Sequence, residues 1–388
     1  MFLCRKVIVF ILLLFLFSAC NKSPNSNKII NKKNTKYDEL HKEDSYKELL
    51  SQMKALDYRK ATKTIKSLII KHPKNPELYY LLAIITKNSN PDPLKAIKLL
   101  EVALKLDNEY GKAWKLLGDL YYIRGNLENT LKAWEMAIET IQKNATLYYR
   151  LANIYYGQKD YKIAIKYFEK SLKVDNKLEW SYYYLGEIYF KYLRNPKKGI
   201  EYLKKGLKIL PESKSLNQKL AIFYYDTQKY QEAIKWNKEV LKIVKYDNFA
   251  IENISDAYMQ LKNYDKAIEW LDKVLKEQPK SVYYIKKMAE IYLIKKDFNK
   301  SIELFEFAYN LKNDSDLKSK IAKLYQVTGK ETKYKEIMNE LKSSGNPSDA
   351  RAFEYLSMEN SNNKKTDTKK TDTKKINLKK EIDTKKNK

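Results

Sequence analysis

Between about residues 43 and 342 the apolar residues fall three and four apart, the spacing that places side chains on one face of a helix, and not in the strict alternation of a strand. The pattern itself recurs. "WKLLGDLYY" at 114–122 is followed by "YYRLANIYY" at 148–156 and "YYYLGEIYF" at 182–190. With Gly111 as position 1 of a unit, Trp114, Leu117, Gly118 and Tyr121 occupy positions 4, 7, 8 and 11. The frame from Ala145 places Tyr148, Leu151, Ala152, Tyr155, Ala164 and Phe168, and the frame from Glu179 places Tyr182, Leu185, Gly186 and Tyr189. Frames near Lys214, Asn248, Val282 and Ser315 keep the phase, weaker ones near 42 and 76 extend it, and the interval is 33 to 35 residues throughout.

Positions 4, 7, 8 and 11 form one face of a first helix, and 20, 24 and 27 do the same on a second. Small residues at 8 and 20, such as Gly186 with Gly199 or Ala152 with Ala164, let the two backbones approach while large residues fill the flanks. Gly125-Asn126, Lys159-Asp160, Lys262-Asn263 and Lys296-Asp297 fall between the helices, with Asn or Asp suited to cap the second. Pro73, Pro211 and Pro279 close units where a helix must end. A single hairpin cannot cover its own apolar face, so neighbours must stack into a superhelical solenoid. The expected fold class is therefore all-α. With 9 Gly and 9 Pro in 388 residues, the composition disfavours a fold rich in tight β turns.

The phased motif resembles the tetratricopeptide repeat family, whose 34-residue unit carries a W-x2-L-G-x2-Y, A-x3-F, P pattern. The resemblance covers roughly eight or nine units, about three quarters of the chain, and implies a right-handed superhelical solenoid of helix-turn-helix units over 43–342. Such arrays bind other proteins along a concave groove lined by first helices.

The ends read differently. Arg5 and Lys6 precede an apolar run from Val7 to Phe17, too short to span a bilayer, where about 20 apolar residues are needed. A charged start, a short apolar middle and small residues before a cut describe a secretory signal over 1–19. Ser18-Ala19-Cys20 resembles the lipobox of bacterial lipoproteins, with Phe17 where Leu is usual. That resemblance implies that Cys20 is acylated, anchoring the chain to a membrane, with the body facing the periplasm or the exterior. Cys4 lies in the signal, so no cysteine remains for a disulfide, thiolate nucleophile or metal site. The segment 20–42 is polar and rich in Asn and Lys, as a flexible tether would be, and 343–388 reads as a short possible helix followed by a disordered lysine-rich tail.

The formal charge of +28 raises a second reading, binding of a polyanion such as nucleic acid, anionic lipid or polysaccharide by the lysine surface and tail. Exposed lysines on helices are ordinarily a solvated face, which makes a nucleic-acid partner the lesser expectation. The two histidines, His41 and His72, have no neighbours at metal spacing and read as solvent-exposed. No nucleophile and base pair up, and "VTGKE" at 327–331 lacks the earlier glycine and the Ser or Thr of a phosphate loop, so it reads as a turn. The expectation is a non-enzymatic scaffold with no cofactor, no metal and no small-molecule substrate, whose partner is another envelope protein.

In the repeat family, ligand contacts come mostly from positions 2, 5, 9, 12 and 13. Carried onto this chain, position 12 gives Tyr122, Tyr156, Phe190 and Tyr225, position 9 gives Asp119, Asn153 and Glu187, and position 5 gives Lys115, Tyr149 and Tyr183. Position 9 continues with Ile222, Asp256 and Glu290, so the expected groove is aromatic and mildly acidic. The terminal-carboxylate clamp of chaperone-binding members is not expected at Lys115 and Asn153, because Asp119 would repel a carboxylate there.

Overall fold

A computed structural model describes residues 38–89, 93–141 and 143–358, and the structure among them is helical, with no strand. The lipobox at Cys20, most of the tether and the lysine-rich tail lie outside the described residues. The chain divides into two compact units, one ending at Asn176 and the other starting at Lys177.

In the first unit a short helix, α1 (Asp38–Lys42), leads into four hairpins: α2 (Asp44–Lys54) with α3 (Tyr58–Lys71), α4 (Pro76–Ser89) with α5 (Pro93–Leu106), α6 (Gly111–Ile123) with α7 (Leu127–Thr140), and α8 (Ala145–Gly157) with α9 (Tyr161–Val174). The second unit holds five. They are α10 (Glu179–Glu187, running into a π turn at Ile188–Tyr192) with α11 (Pro196–Ile209), α12 (Lys214–Asp226) with α13 (Tyr230–Ile243), α14 (Asn248–Gln260) with α15 (Tyr264–Glu277), α16 (Val282–Ile294) with α17 (Phe298–Leu311), and α18 (Ser315–Val327) with α19 (Glu331–Ser343). A closing helix, α20, runs over 347–358.

The turn chemistry expected between helices is present. Asn126, Asp160, Asn263 and Asp297 each accept a hydrogen bond from the backbone N–H three residues on, at the head of the second helix. At Lys159 the chain takes a φ of 63°, and Lys159 and Asp160 donate their N–H groups to the carbonyls of Tyr156 and Tyr155, closing the last turn of α8 in a Schellman arrangement. The 327–331 segment is such a turn too, with Gly329 at φ 70° between α18 and α19.

Close approach at positions 8 and 20 also holds. A Cβ on Gly199 would stand 2.7 Å from the Gly186 carbonyl oxygen, so these helices touch backbone to backbone. In the first unit Ala152 and Ala164, at the same positions of the α8–α9 hairpin, are fully buried. Hairpins lean on one another: Leu147 and Leu151 of α8 pack with Trp134 and Ala137 of α7, and Tyr284 and Met288 of α16 join Leu271 and Val274 of α15.

Three features add to the sequence-based picture. The repeat interval from Glu179 to Lys214 is one residue longer than the 34 of its neighbouring frames, and that residue goes into the helix as the π turn, where the Leu193 N–H reaches the Ile188 carbonyl five residues back at 2.9 Å. The ordered body also runs further at both ends than 43–342. Leu40 in the expected tether is 2% exposed against the first hairpin, and Leu356 beyond the expected last unit is 2% exposed against Ala322 and Leu341, so α20 covers the apolar edge that α19 leaves. Finally, both histidines, which read as solvent-exposed, keep part of their surface in solvent and each pairs with a glutamate. His41 lies 2.8 Å from Glu77, which also accepts from the Tyr46 hydroxyl at 3.0 Å, and His72 pairs with Glu43. The His41 imidazole therefore ties α1 to the head of α4, while His72, at the end of α3, ties together the two ends of the first hairpin.

Candidate partner-binding face

The first helices of each unit present a face on which the sequence places its candidate residues, and the structure gives those residues unequal roles. In the first unit, Gly118 on α6 leaves room for the ring of Trp134 on α7, since a Cβ at Gly118 would lie 2.2 Å from Trp134 Cδ1. The indole is 1% exposed and donates its Nε1–H to Asp119 Oδ1 at 3.2 Å. Asp119 also accepts from Lys115 at 3.0 Å and from Arg150 of the next hairpin at 2.6 Å. Arg150 lies over the indole, 5.6 Å from its centroid, and Tyr122 stacks beside it at 5.5 Å.

These residues bound a cleft of about 620 Å³ whose other walls include Leu127, Asn153 and Ile154. Tyr122 is 52% exposed there. Among the described residues neither its hydroxyl nor the Asn153 side chain has a hydrogen-bond partner, so both polar tips face the cleft's solvent. The arrangement offers an aromatic face, an amide that can both donate and accept, and a guanidinium.

The other position-5 and position-12 aromatics are used differently. Tyr149 leans on Phe168 at 5.9 Å and Tyr156 meets Tyr161 edge-on at 6.0 Å, each within its own hairpin. In the second unit, Phe190 stacks on the fully buried Phe223 at 3.8 Å, and Tyr225 meets Tyr230 at 5.3 Å. Burial, with Asp256 nearby, pushes the Tyr225 hydroxyl above its ordinary value. Tyr183 accepts from Lys219 Nζ at 3.0 Å, with its ring under the same ammonium.

The acidic character expected of this face is the principal correction. The position-9 carboxylates are answered by cations at position 6 of the following hairpin: Asp119 by Arg150 at 2.6 Å, Glu187 by Lys219 at 2.8 Å, Asp256 by Lys287 at 2.8 Å and Glu290 by Lys320 at 2.6 Å. Rungs of opposite charge thus join neighbouring hairpins, one in the first unit and three in the second, and these carboxylates are compensated. At Glu187, burial raises the pKa, but hydrogen bonds and charge from Lys219 and Lys191 outweigh it and hold the carboxyl below its ordinary value. At Asp256 burial wins over Lys287, and the carboxyl is raised. Glu252, part-buried but bonded to both Lys287 and the Tyr283 hydroxyl, is lowered.

Sequence reasoning missed the position-6 cations and Trp134. The available signal for the former was a base standing 30 to 32 residues after an acid, repeated in phase. Among the described residues no group of three or more His, Cys, Asp or Glu could hold a metal ion, and no helix is long and apolar enough to cross a membrane.

A stack of capped helical hairpins, closed at small residues and joined by their first helices, defines a helical-repeat protein. Family models of the tetratricopeptide repeat match residues 145–177 and 249–281, and a further TPR repeat model matches 118–159. The chain is a tetratricopeptide repeat protein. No curated protein matches it. Among solved structures it is similar to YrrB, described as a TPR protein with an unusual peptide-binding site, at 24% identity over 48% of this chain and 95% of that one, with a TM-score of 0.40. It is also similar to PilF of Pseudomonas aeruginosa, at 17% identity over 55% and 97% of the two chains and a TM-score of 0.40. A tetratricopeptide repeat protein from Parabacteroides merdae aligns at 18% identity over 65% and 98%, with a TM-score of 0.41. The repeat fold supports a protein–protein interaction scaffold.

Proposed function

We propose that the chain is a lipid-anchored, non-enzymatic scaffold of a bacterial envelope that holds a segment of a partner protein in the cleft between α6, α7 and α8. The observation that carries the reading is the Tyr122, Trp134 and Asn153 constellation: a half-exposed ring seated on a buried indole, beside an amide with no intramolecular partner. Aromatic surface supplies contact area at low entropic cost, and an amide can pair with both groups of a peptide bond. The charged start, short apolar run and Ser18-Ala19-Cys20 support the anchor.

The test is site-specific photocrosslinking in the native envelope with the crosslinker at Tyr122. A reproducible adduct that disappears in Asn153→Ala, while circular dichroism stays unchanged, is the expected result. The reading fails if a crosslinker at Ile70, an 81%-exposed position off this face, gives the same adducts. Metabolic labelling with radioactive palmitate, lost in Cys20→Ser, tests the anchor separately.

A further inference from the structure

In the second unit a cleft of about 400 Å³ opens between α11, α12 and α13. Leu207, Pro211 and the ring of Trp236 give it apolar walls, and three ammonium groups line it, Lys204 and Lys208 from α11 and Lys235 from α13. Among the described residues none of the three pairs with a carboxylate. Lys204 lies 5.5 Å from the centroid of the Tyr224 ring, and Lys235 lies 5.9 Å from that of Trp236. Glu239, the one carboxylate in the lining, is held by Lys242 at 2.7 Å, and Glu201, the one acid of α11, by Lys205 at 2.8 Å. The Trp236 Nε1–H is buried with no acceptor among the described residues, so no hydrogen bond holds the ring. The matching seam of the first unit, between α5, α6 and α7, is built differently. Its ring is Trp114 on the first helix with Ala133 on the second, where Asn217 and Trp236 stand here, and Glu101 occupies the place of Lys204.

We propose that this cleft binds a short acidic segment of a partner protein in which an apolar side chain sits between two carboxylates, the apolar side chain against Trp236 and Leu207 and the carboxylates on Lys204, Lys208 and Lys235. Ammonium groups supplied from two helices favour an anion, with charge-assisted hydrogen bonds to its oxygens. Charge alone would accept any polyanion, but the apolar walls select one that brings a hydrophobic side chain with it. A nucleic acid offers no such side chain, and a single part-buried ring is no run of platforms for successive bases. A bilayer is met by protruding apolar side chains, whereas here the apolar surface is recessed. The site goes beyond the Tyr122 cleft: it lies in the other unit, on different helices, and selects different chemistry.

Fluorine NMR on the full chain labelled with fluorotryptophan tests it, the Trp236 resonance being the one lost in Trp236→Phe. The probe is the peptide Gly-Glu-Phe-Glu-Gly, acetylated and amidated so that only its side chains carry charge. A saturable shift of the Trp236 resonance is expected, with affinity reduced at least about tenfold in Lys204→Glu/Lys235→Gln and falling as salt is raised. Both lysines are exposed, so the double variant should keep its fold, and an unchanged circular dichroism spectrum checks this. Gly-Gln-Phe-Gln-Gly and Gly-Glu-Ala-Glu-Gly should each bind more weakly, the first for want of charge and the second for want of the ring. Neutralising Lys364, Lys365, Lys369 and Lys370 to Gln in the tail should leave the affinity within about twofold, since the cleft itself supplies the cations. The proposal is overturned if the peptide leaves the Trp236 resonance unmoved, if the shift survives the lysine substitutions, or if either altered peptide binds as tightly. It is equally overturned if phosphatidylglycerol vesicles or oligothymidylate move that resonance at lower concentration than the peptide does.

Discussion

Two glycines on first helices of the same unit, Gly118 and Gly157, should respond in opposite directions to the same added methyl. In helix interiors Gly→Ala gains up to about 1 kcal/mol of backbone propensity. At Gly157 nothing lies within 4 Å of the new Cβ, so Gly157→Ala should stabilise by about 0.4 to 1 kcal/mol. At Gly118 the Cβ would stand 2.2 Å from Trp134 Cδ1 and 2.5 Å from Nε1, where ordinary contact begins near 3.4 Å. The ring must move by roughly an ångström inside a close-packed site, at about 1 to 3 kcal/mol. It would carry with it the hydrogen bond to Asp119 and the seat of Tyr122. Net destabilisation by about 0 to 2 kcal/mol should follow, a gap of about 1 to 3 kcal/mol between the two variants. Because repeat arrays need not unfold in one step, the measurement is native-state hydrogen exchange on peptides spanning α6 to α9, backed by urea unfolding. Equal stabilisation by both substitutions would refute the seating of Trp134 over Gly118 and with it the Tyr122 cleft.

Two further outcomes follow from the rungs. Lys287, whose side chain is 19% exposed, bridges Glu252 and Asp256 at 2.8 Å each, so Lys287→Met should cost about 2 kcal/mol by stranding two carboxylates, whereas Glu252→Gln should cost less; urea midpoints at neutral pH distinguish them. Glu187 has its folded pKa held below the ordinary 4.5 by Lys219 and Lys191 against the opposing effect of burial, so its contribution is complete above the unfolded value and lost as pH falls through the folded one. The stability difference between the unaltered chain and Glu187→Gln should therefore shrink as pH drops below 4.5, and a difference that stays constant from neutral to acid pH would contradict the Lys219 and Lys191 assignment.

Much of the fold was legible because the repeat repeats its own evidence. Phase fixed the hairpins, and Asn or Asp after the turn fixed the start of α7, α9, α15 and α17. What periodicity could not decide was where an extra residue goes. The long interval after Glu179 was visible as a number, yet only the Ile188 to Leu193 hydrogen bond shows that the helix widens instead of the turn lengthening. Long-range partners were equally hidden: nothing local to His41 or His72 marks Glu77 or Glu43 as its neighbour. The candidate face was half legible. Position 12 does carry aromatics, but whether one is a ligand platform depends on the first residue of the second helix, since Tyr161 and Tyr230 draw Tyr156 and Tyr225 inward while Leu127 leaves Tyr122 on Trp134.

The rungs also change what the lysine content means. Lys219, Lys287 and Lys320 are not merely a solvated coat on a basic chain; each answers an acid on the preceding hairpin, so part of the +28 is internally matched along the first-helix face. Within the second unit the series has a gap at Ile222, where no carboxylate is offered and the amide nitrogen of Asn253, at the matching position 6, is buried without a partner. At Lys323 a cation takes the place of the acid, and its ammonium reaches the Tyr355 hydroxyl of α20 at 3.4 Å, with the ring 4.5 Å away. The charge on this face is therefore set by which position-9 residues are acidic and answered across the rung, as well as by the lysine count.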